Sequence, residues 1–339
     1  MKLSTTLNCN LVAIVAGGLA MLVLPAMLDL YSLINSTIYV SLALFALSMA
    51  LIWGHGGILC FGQSMFFGLG AYAYAVAGIN FGDSTWAIAV AIVTPMVFAV
   101  VLGYFVFYGR LSDIYFGVIT LTVTLILFKL ANSTSGDAWR IGKARLGGFN
   151  GMPDTPPLNM PFDPVTPLSP EAVFMLAVSA LVAGYVLCKC LMGSRFGRIV
   201  AGVRENEARA ELLGYDARLL KLLMFAVGAG IAGVAGLLFA TSVFVSPSVF
   251  SLSNSAQVLI WVVVGGVGTL MGPIIACLLL QLLSAYLGTL GWIDPNIVLG
   301  SVLTLFVLLM PRGLLPTAIA CLPKRTGRNV NKTAVIHER

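Results

Sequence analysis

Apolar runs of roughly membrane-spanning length recur along almost the whole chain, at 11–28, 32–53, 63–80, 86–108, 113–131, 171–191, 219–243, 255–270, 273–291 and 294–311. A helix needs about 20 mainly apolar residues to cross a bilayer core. The pattern therefore predicts an all-α polytopic membrane protein with about ten transmembrane helices. Lys2 ahead of the first run could open a signal peptide. The run is long for one, however, and no A-x-A-like cleavage site follows Leu24-Pro25-Ala26-Met27, so it reads as a retained first span.

Two hydrophilic segments interrupt the pattern. Residues 132–170 hold Leu146-Gly147-Gly148-Phe149-Asn150-Gly151 and then Pro153, Pro156, Pro157, Pro161, Pro164, Pro167 and Pro170. Such a stretch cannot continue a helix and reads as a loop, compact or mobile. Residues 192–218 carry the densest charge. The chain thus divides into a five-span half at 1–131, an extracytoplasmic loop at 132–170, a second half at 171–316 containing the loop 192–218, and a basic tail at 317–339. An odd number of spans per half gives the halves opposite topology, which suggests a 5+5 inverted repeat. Phe61-Gly62-Gln63-Ser64-Met65-Phe66-Phe67-Gly68 loosely echoes Asn254-Ser255-Ala256-Gln257-Val258-Leu259-Ile260-Trp261, a polar patch running at once into an apolar helix in each half.

Composition sharpens the class. Of 339 residues 59% are apolar and 9% charged, far from the roughly 25% charge of soluble domains. The net charge of +6 could suggest nucleic acid, but its placement says otherwise. With both termini cytoplasmic, Lys2, Arg110, Lys189, Arg195, Arg198, Arg204, Arg209, Arg218, Lys221, Arg312, Lys324, Arg325, Arg328, Lys332 and Arg339 fall inside, and only Lys129, Arg140, Lys143 and Arg145 outside. The excess is an orientation signal. The six cysteines form no CxxC and accompany no histidine cluster, so neither a zinc site nor a disulfide framework is expected.

Asp29, Asp83, Asp113, Lys129, Lys189 and Asp294 all sit near span ends. Proton relays place ionisable groups at depth, so a proton-driven mechanism is disfavoured. Uncharged polar groups do enter the spans. Gln63, Ser64, Thr120, Asn254, Ser255 and Gln257 are candidates for a solute path, Gln63-Ser64 and Asn254-Ser255-Gln257 above all, because each opens a helix with free N–H groups. Threonines such as Thr120, Thr122 and Thr124 more often bond to their own helix. Gly54, Gly57 and Gly62, and again Gly265, Gly268 and Gly272, mark helix breaks, tolerated in a membrane only inside protein or along a cavity. Gly228, Gly230, Gly233 and Gly236 read as close helix packing. His55 reads as a packed or interfacial histidine before a solute ligand or pH sensor.

In the charged loop, one short helix is expected at about 203–213. Glu205 and Arg209 would form an i,i+4 pair on it, and Gly214 is a natural stop. With Val203, Ala208, Ala210, Leu212 and Leu213 it is amphipathic, suited either to a groove in another protein or to a lipid surface.

Ser194-Arg195-x-Gly197-Arg198, then Arg204-Glu205-x-Glu207 and Leu213-Gly214 resemble the cytoplasmic loop of permeases from branched-chain amino acid ABC importers. The resemblance extends through 54–72, 146–151, 244–247, 265–273 and the ending Arg312-Gly313-Leu314, about residues 30–316 in all. Arg110-Leu111-Ser112-Asp113-Ile114-Tyr115-Phe116 also looks like the family's urea and short-chain amide relatives. The resemblance implies a bacterial inner-membrane subunit working with a paralogous permease, two cytoplasmic ATPases and an extracytoplasmic binding protein that docks on 132–170. It makes 203–213 a coupling helix, with Arg195, Arg198, Arg204, Glu205, Glu207, Arg209, Leu213 and Gly214 as ATPase-coupling residues. ATP would be hydrolysed by the partners, in keeping with the lack of a GxxxxGK[ST] loop here, and this chain would bind no cofactor. Alternating access is the implied mechanism. A self-sufficient carrier or channel for a small neutral solute is the rival reading. His55 and the basic tail have no counterpart in the resemblance.

Overall fold

A computed structural model describes residues 27–290 except 110, 137, 161 and 162, together with positions 17, 18, 21, 24, 25, 300, 301 and 304. The spans expected at 11–28 and 294–311 and the tail at 317–339 lie wholly or mostly outside the described residues.

The helices are α1 Leu30–Met49, which winds on as a π-helix over Ala50–His55, α2 Ser64–Phe81, α3 Ser84–Tyr108, α4 Asp113–Ser133, α5 Pro170–Gly193, α6 Arg195–Glu205, α7 Glu207–Leu212, α8 Ala217–Ala240, α9 Leu252–Gly265 and α10 Met271–Leu290. Seven of these elements are long and apolar enough to cross a membrane: α1 with its π-helix, α2, α3, α4, α5, α8 and α10. The protein is an all-α polytopic membrane protein. The span expected at 255–270 is α9, which has only 14 residues. At 1.5 Å per residue it reaches about 21 Å, short of a hydrocarbon core of about 30 Å. Gly265 and Gly266 end it early, because Gly266 takes φ +107°, which a helix cannot continue.

α8 lies at the centre, against α1, α2 and α3. Small residues make that possible. A Cβ on Gly236 would collide with the Phe67 carbonyl of α2, and one on Gly233 would meet Pro95 of α3 at 2.5 Å. Gly70 of α2 rests on the Gly233 backbone in turn. Backbones approach this closely in membranes because dispersion, rather than a hydrophobic drive, holds the helices together. Phe225 of α8 seals one end of the core, edge-on to Phe66, Phe107 and Phe116 with ring centroids 5.0, 5.9 and 5.3 Å away.

The Gly/Pro-rich loop is ordered. It folds into two antiparallel hairpins, β1 Arg140–Ile141 with β2 Ala144–Arg145, and β3 Asn159–Met160 with β4 Asp163–Pro167. Asn80 of α2 secures the first: Nδ2 donates to the Ile141 carbonyl at 2.9 Å and Oδ1 accepts from the Lys143 amide at 2.8 Å. Tyr74 donates to the Pro156 carbonyl at 3.1 Å, and Ser84 brackets Asn159 at 3.0 and 3.2 Å. The Met152 amide donates to Val245 at 2.8 Å, so the loop also holds the segment leading to α9. This defines a hairpin end of the bundle, opposite the end that carries α6 and α7.

Overpacking a core contact costs about 1–3 kcal/mol. Gly236→Ala should therefore lower the melting temperature of the detergent-purified protein. Gly288→Ala, where a Cβ meets nothing within 4 Å, should leave it unchanged or raise it, since Ala is the better helix former by about 1 kcal/mol. Equal melting temperatures would refute the α2–α8 packing.

Candidate functional site

The two glycine-rich breaks meet in space. At the first, the amides of Gly56 and Ile58 donate to Leu51 and Ile52 at 3.0 and 3.1 Å, closing the π-helix. Gly57, at φ +72°, turns the chain back into the bundle, and residues 56–63 run beside α1 until α2 begins. Gly62 lies flush on α4, where a Cβ would strike the Thr120 carbonyl. Thr124 Oγ1 donates to the Gly62 carbonyl at 3.2 Å, so protein satisfies backbone that lipid could not. At the second break, Gly265 and Gly272 touch backbone to backbone. A Cβ on Gly54 would lie 3.0 Å from the Gly268 amide nitrogen, which is the contact between the breaks.

The helix that leaves the first break and the helix that leads into the second are also joined. Ser64 Oγ, in the first turn of α2, is 2.5 Å from Ser255 Oγ in the first turn of α9. Ser64 also lies 3.5 Å from the Ser251 carbonyl. Gln63 is fully buried beside them. Its Nε2 donates to Ser48 Oγ at 3.1 Å, and Ser48 donates to the Phe45 carbonyl at 2.6 Å. Gln63 Oε1 is buried without a partner, at a cost of about 1–3 kcal/mol, and such a group calls for an explanation. Ser48 stands seven residues before His55 and Thr120 seven after Asp113, so the cluster lies about 10 Å in from the α6 end. It offers two hydroxyls, two helix N-termini and one open acceptor. That chemistry can pass a small solute carrying both donors and acceptors without burying a protein charge.

The remaining candidates lie apart. Thr120 donates to its own helix at Gly117, 2.9 Å away, and Thr122 does the same at Val118. Asn254 turns back to the Ser248 and Val249 carbonyls at 3.0 and 3.3 Å, closing the 3-10 turn Pro247–Phe250. Gln257 is half-buried on α9. His55 places Nδ1 3.3 Å from the Ala50 carbonyl. A separate apolar cavity of about 630 Å³ opens toward the hairpin end between α2, α3 and α4, with the buried, unpartnered Tyr72 hydroxyl in its wall.

At the other end, the single helix expected at 203–213 is two. Asn206, at φ −159° and ψ 101°, breaks it, and its Oδ1 accepts from the Arg209 amide at 2.9 Å to start α7. Capping is worth about 1 kcal/mol, whereas an exposed i,i+4 ion pair gives about 0.3–0.5. The cap therefore wins, and Glu205 and Arg209 fall on different helices. Glu207 pairs instead with Lys221 of α8 at 2.6 Å. α6 starts at Ser194, which accepts from the Gly197 amide at 3.4 Å, and buries Gly197, Val200 and Val203. Between α6 and α7 a groove of about 680 Å³ is lined by Arg195, Arg198, Glu205, Arg209, Leu213 and Tyr215. Leu212 and Leu213, 89% and 73% exposed, stand at its rim before the turn at Gly214 (φ +86°). Arg204 turns inward and donates to the Gly54 carbonyl.

Three of these groups are not signalled by motif reading: Ser48, Asn206 and Asn80. The available signals were a lone hydroxyl seven residues before a break, an Asn opening a Glu-Ala-Arg-Ala helix, and an amide in the last turn of a span.

Residues 30–310 match the family model described as branched-chain amino acid transport system / permease component. The chain is 29% identical over 294 residues to the high-affinity branched-chain amino acid transport system permease protein LivM of Escherichia coli (strain K12), covering 80% of this chain and 67% of that one. It is 27% identical over 323 residues to the protein of the same name from Salmonella typhimurium, covering 90% and 74%. No solved structure matches the chain. With a match across most of its length and a bundle of membrane-crossing helices, the chain belongs to the branched-chain amino acid transport system permease family.

Proposed function

We propose that the chain is one permease subunit of an ATP-driven importer of branched-chain or other amino acids, pairing with a paralogous permease to form the translocation path. The observation that carries this reading is the Gln63, Ser64 and Ser255 cluster, where the two broken helices close on each other. It is a constriction with a vacant acceptor, built for a zwitterion or a neutral polar solute. On this reading the ten apolar segments form two inverted halves of five, with the short α9 completing its crossing through the glycine break that follows it. The termini and α6–α7 are cytoplasmic, and the hairpin loop receives an extracytoplasmic binding protein. The charge-bearing groove between α6 and α7 and the apolar rim at Leu212 and Leu213 seat a cytoplasmic ATPase. ATP binds there and not on this chain. ATPase closure moves α6, the breaks part, and access alternates between the two faces.

Three experiments test this. A fluorescent protein fused after residue 339 should fluoresce in cells while alkaline phosphatase fused there stays inactive; active phosphatase would overturn the orientation. In proteoliposomes holding the full complex, Gln63→Leu and Ser255→Ala should each cut leucine uptake about fivefold or more, the worth of one buried hydrogen bond of about 1 kcal/mol. Unchanged uptake by both would remove the constriction from the path, uptake of urea in place of leucine would change the solute class, and uptake by this chain without ATPases would establish a self-sufficient carrier. Leu213→Asp should abolish co-purification of the ATPases without shifting the melting temperature, since its side chain is exposed. Intact co-purification would move the docking surface elsewhere.

A further inference from the structure

Arg204 lies in the last turn of α6 and stays exposed over much of its surface, yet its guanidinium donates to the carbonyl of Gly54 in the π-helix that ends α1. The aliphatic part of the side chain crosses Gly57 so closely that a Cβ there would lie 2.8 Å from Arg204 Cγ. Gly57 holds φ +72°, so two independent requirements make it glycine: the turn and the passing arginine. The bonds that end the helix pass over Gly54, running from Gly56 to Leu51, Gly57 to Trp53 and Ile58 to Ile52, and its carbonyl faces the guanidinium.

Gly54 is also where the first break touches the second, against the Gly268 backbone. From Gly268 the chain leads back through Gly266 into α9, whose first turn holds Ser255 against Ser64. One continuous series of contacts therefore runs from α6 through Arg204 to Gly54, to Gly268 and along α9 to the constriction. α6 is also fixed to α5 at its start, where Ser194 caps it and donates to the Leu191 carbonyl at 2.6 Å, and its buried Val203 packs with Ala217 at the start of α8. Any shift of α6 as a unit carries Arg204 with it.

Resting on the importer reading, we infer that Arg204 is a positioning residue that latches α6 to the paired breaks and transmits the movement of α6 to the constriction. It does so in place of contacting the ATPase, the role its motif suggests. Contiguity alone does not demonstrate coupling, so the test must read coupling itself. The full complex is reconstituted in proteoliposomes, and leucine taken up per ATP hydrolysed is measured for wild type and for Arg204→Met, which keeps the stem over Gly57 and removes the donor. The ratio should fall at least tenfold, whatever the absolute hydrolysis rate, and Arg204→Lys, which restores one donor, should recover part of it. A wild-type ratio in Arg204→Met overturns the latch. If the wild-type complex takes up neither leucine nor another amino acid, or takes up leucine without ATP, the importer reading fails instead, and the two failures are thereby distinguished.

Discussion

Backbone that leaves a helix inside a membrane has to find its hydrogen-bond partners in protein, and here the breaks find them locally and from Thr124 and Arg204, while their glycines let the two pack against each other. Gly54 faces Gly268, Gly265 faces Gly272, and Gly62 is pressed on Thr120 and Thr124. Each break is the other's cover or is covered by α4. Much of the architecture follows from this. α8 must be lined with glycine so that α2 and α3 can close in. α9 must be short, because it starts where Ser255 meets Ser64 and stops where the second break begins. The hairpin loop must hold the segment before α9 through Met152 and Val245.

Much of this was legible in the sequence, for a physical reason. The hydrocarbon core fixes the length of any span that crosses it, so runs such as 86–108 and 171–191 reappear as α3 and α5 within a few residues. The glycines of α8 announced close packing because little else explains four of them in nine residues. Polar positions at helix starts pointed to Gln63, Ser64 and Ser255, which the fold does gather. It does not gather Asn254, because an amide three residues past a cap reaches back to the preceding turn more easily than across to another helix. Where two local terms of similar size compete, as at Asn206, sequence alone could not choose. The partner of Gln63 was also out of reach: Ser48 is fifteen residues away, and only tertiary structure brings it near.

The cluster of Gln63, Ser64 and Ser255 is held weakly for something so deeply buried. One hydroxyl pair and one amide–hydroxyl bond, each worth about 1 kcal/mol net, face an unpartnered carbonyl oxygen that costs a comparable amount. A contact so balanced is suited to opening. Shifting a two-state element from mostly closed to mostly open takes about 5.5 kcal/mol, within reach of a few such contacts exchanged together. A tightly satisfied polar network at the same place would resist such a change.

The absence of ionisable residues from the middle of the spans gives that balance its direction. A carrier driven by protons holds its switch at depth, in a carboxylate whose charge state sets the conformation. Here the groups at depth are hydroxyls, an amide and glycine backbone, none of which changes charge at physiological pH. None of these groups can switch by titration, so a change of state at this cluster has to come from movement of the helices that carry it. At the charged end of the bundle α6 exposes its charges, and one of them, Arg204, also bonds to the first break. Charged residues gather in and beside α6 and α7, and glycines at the two breaks, the first of which Arg204 adjoins.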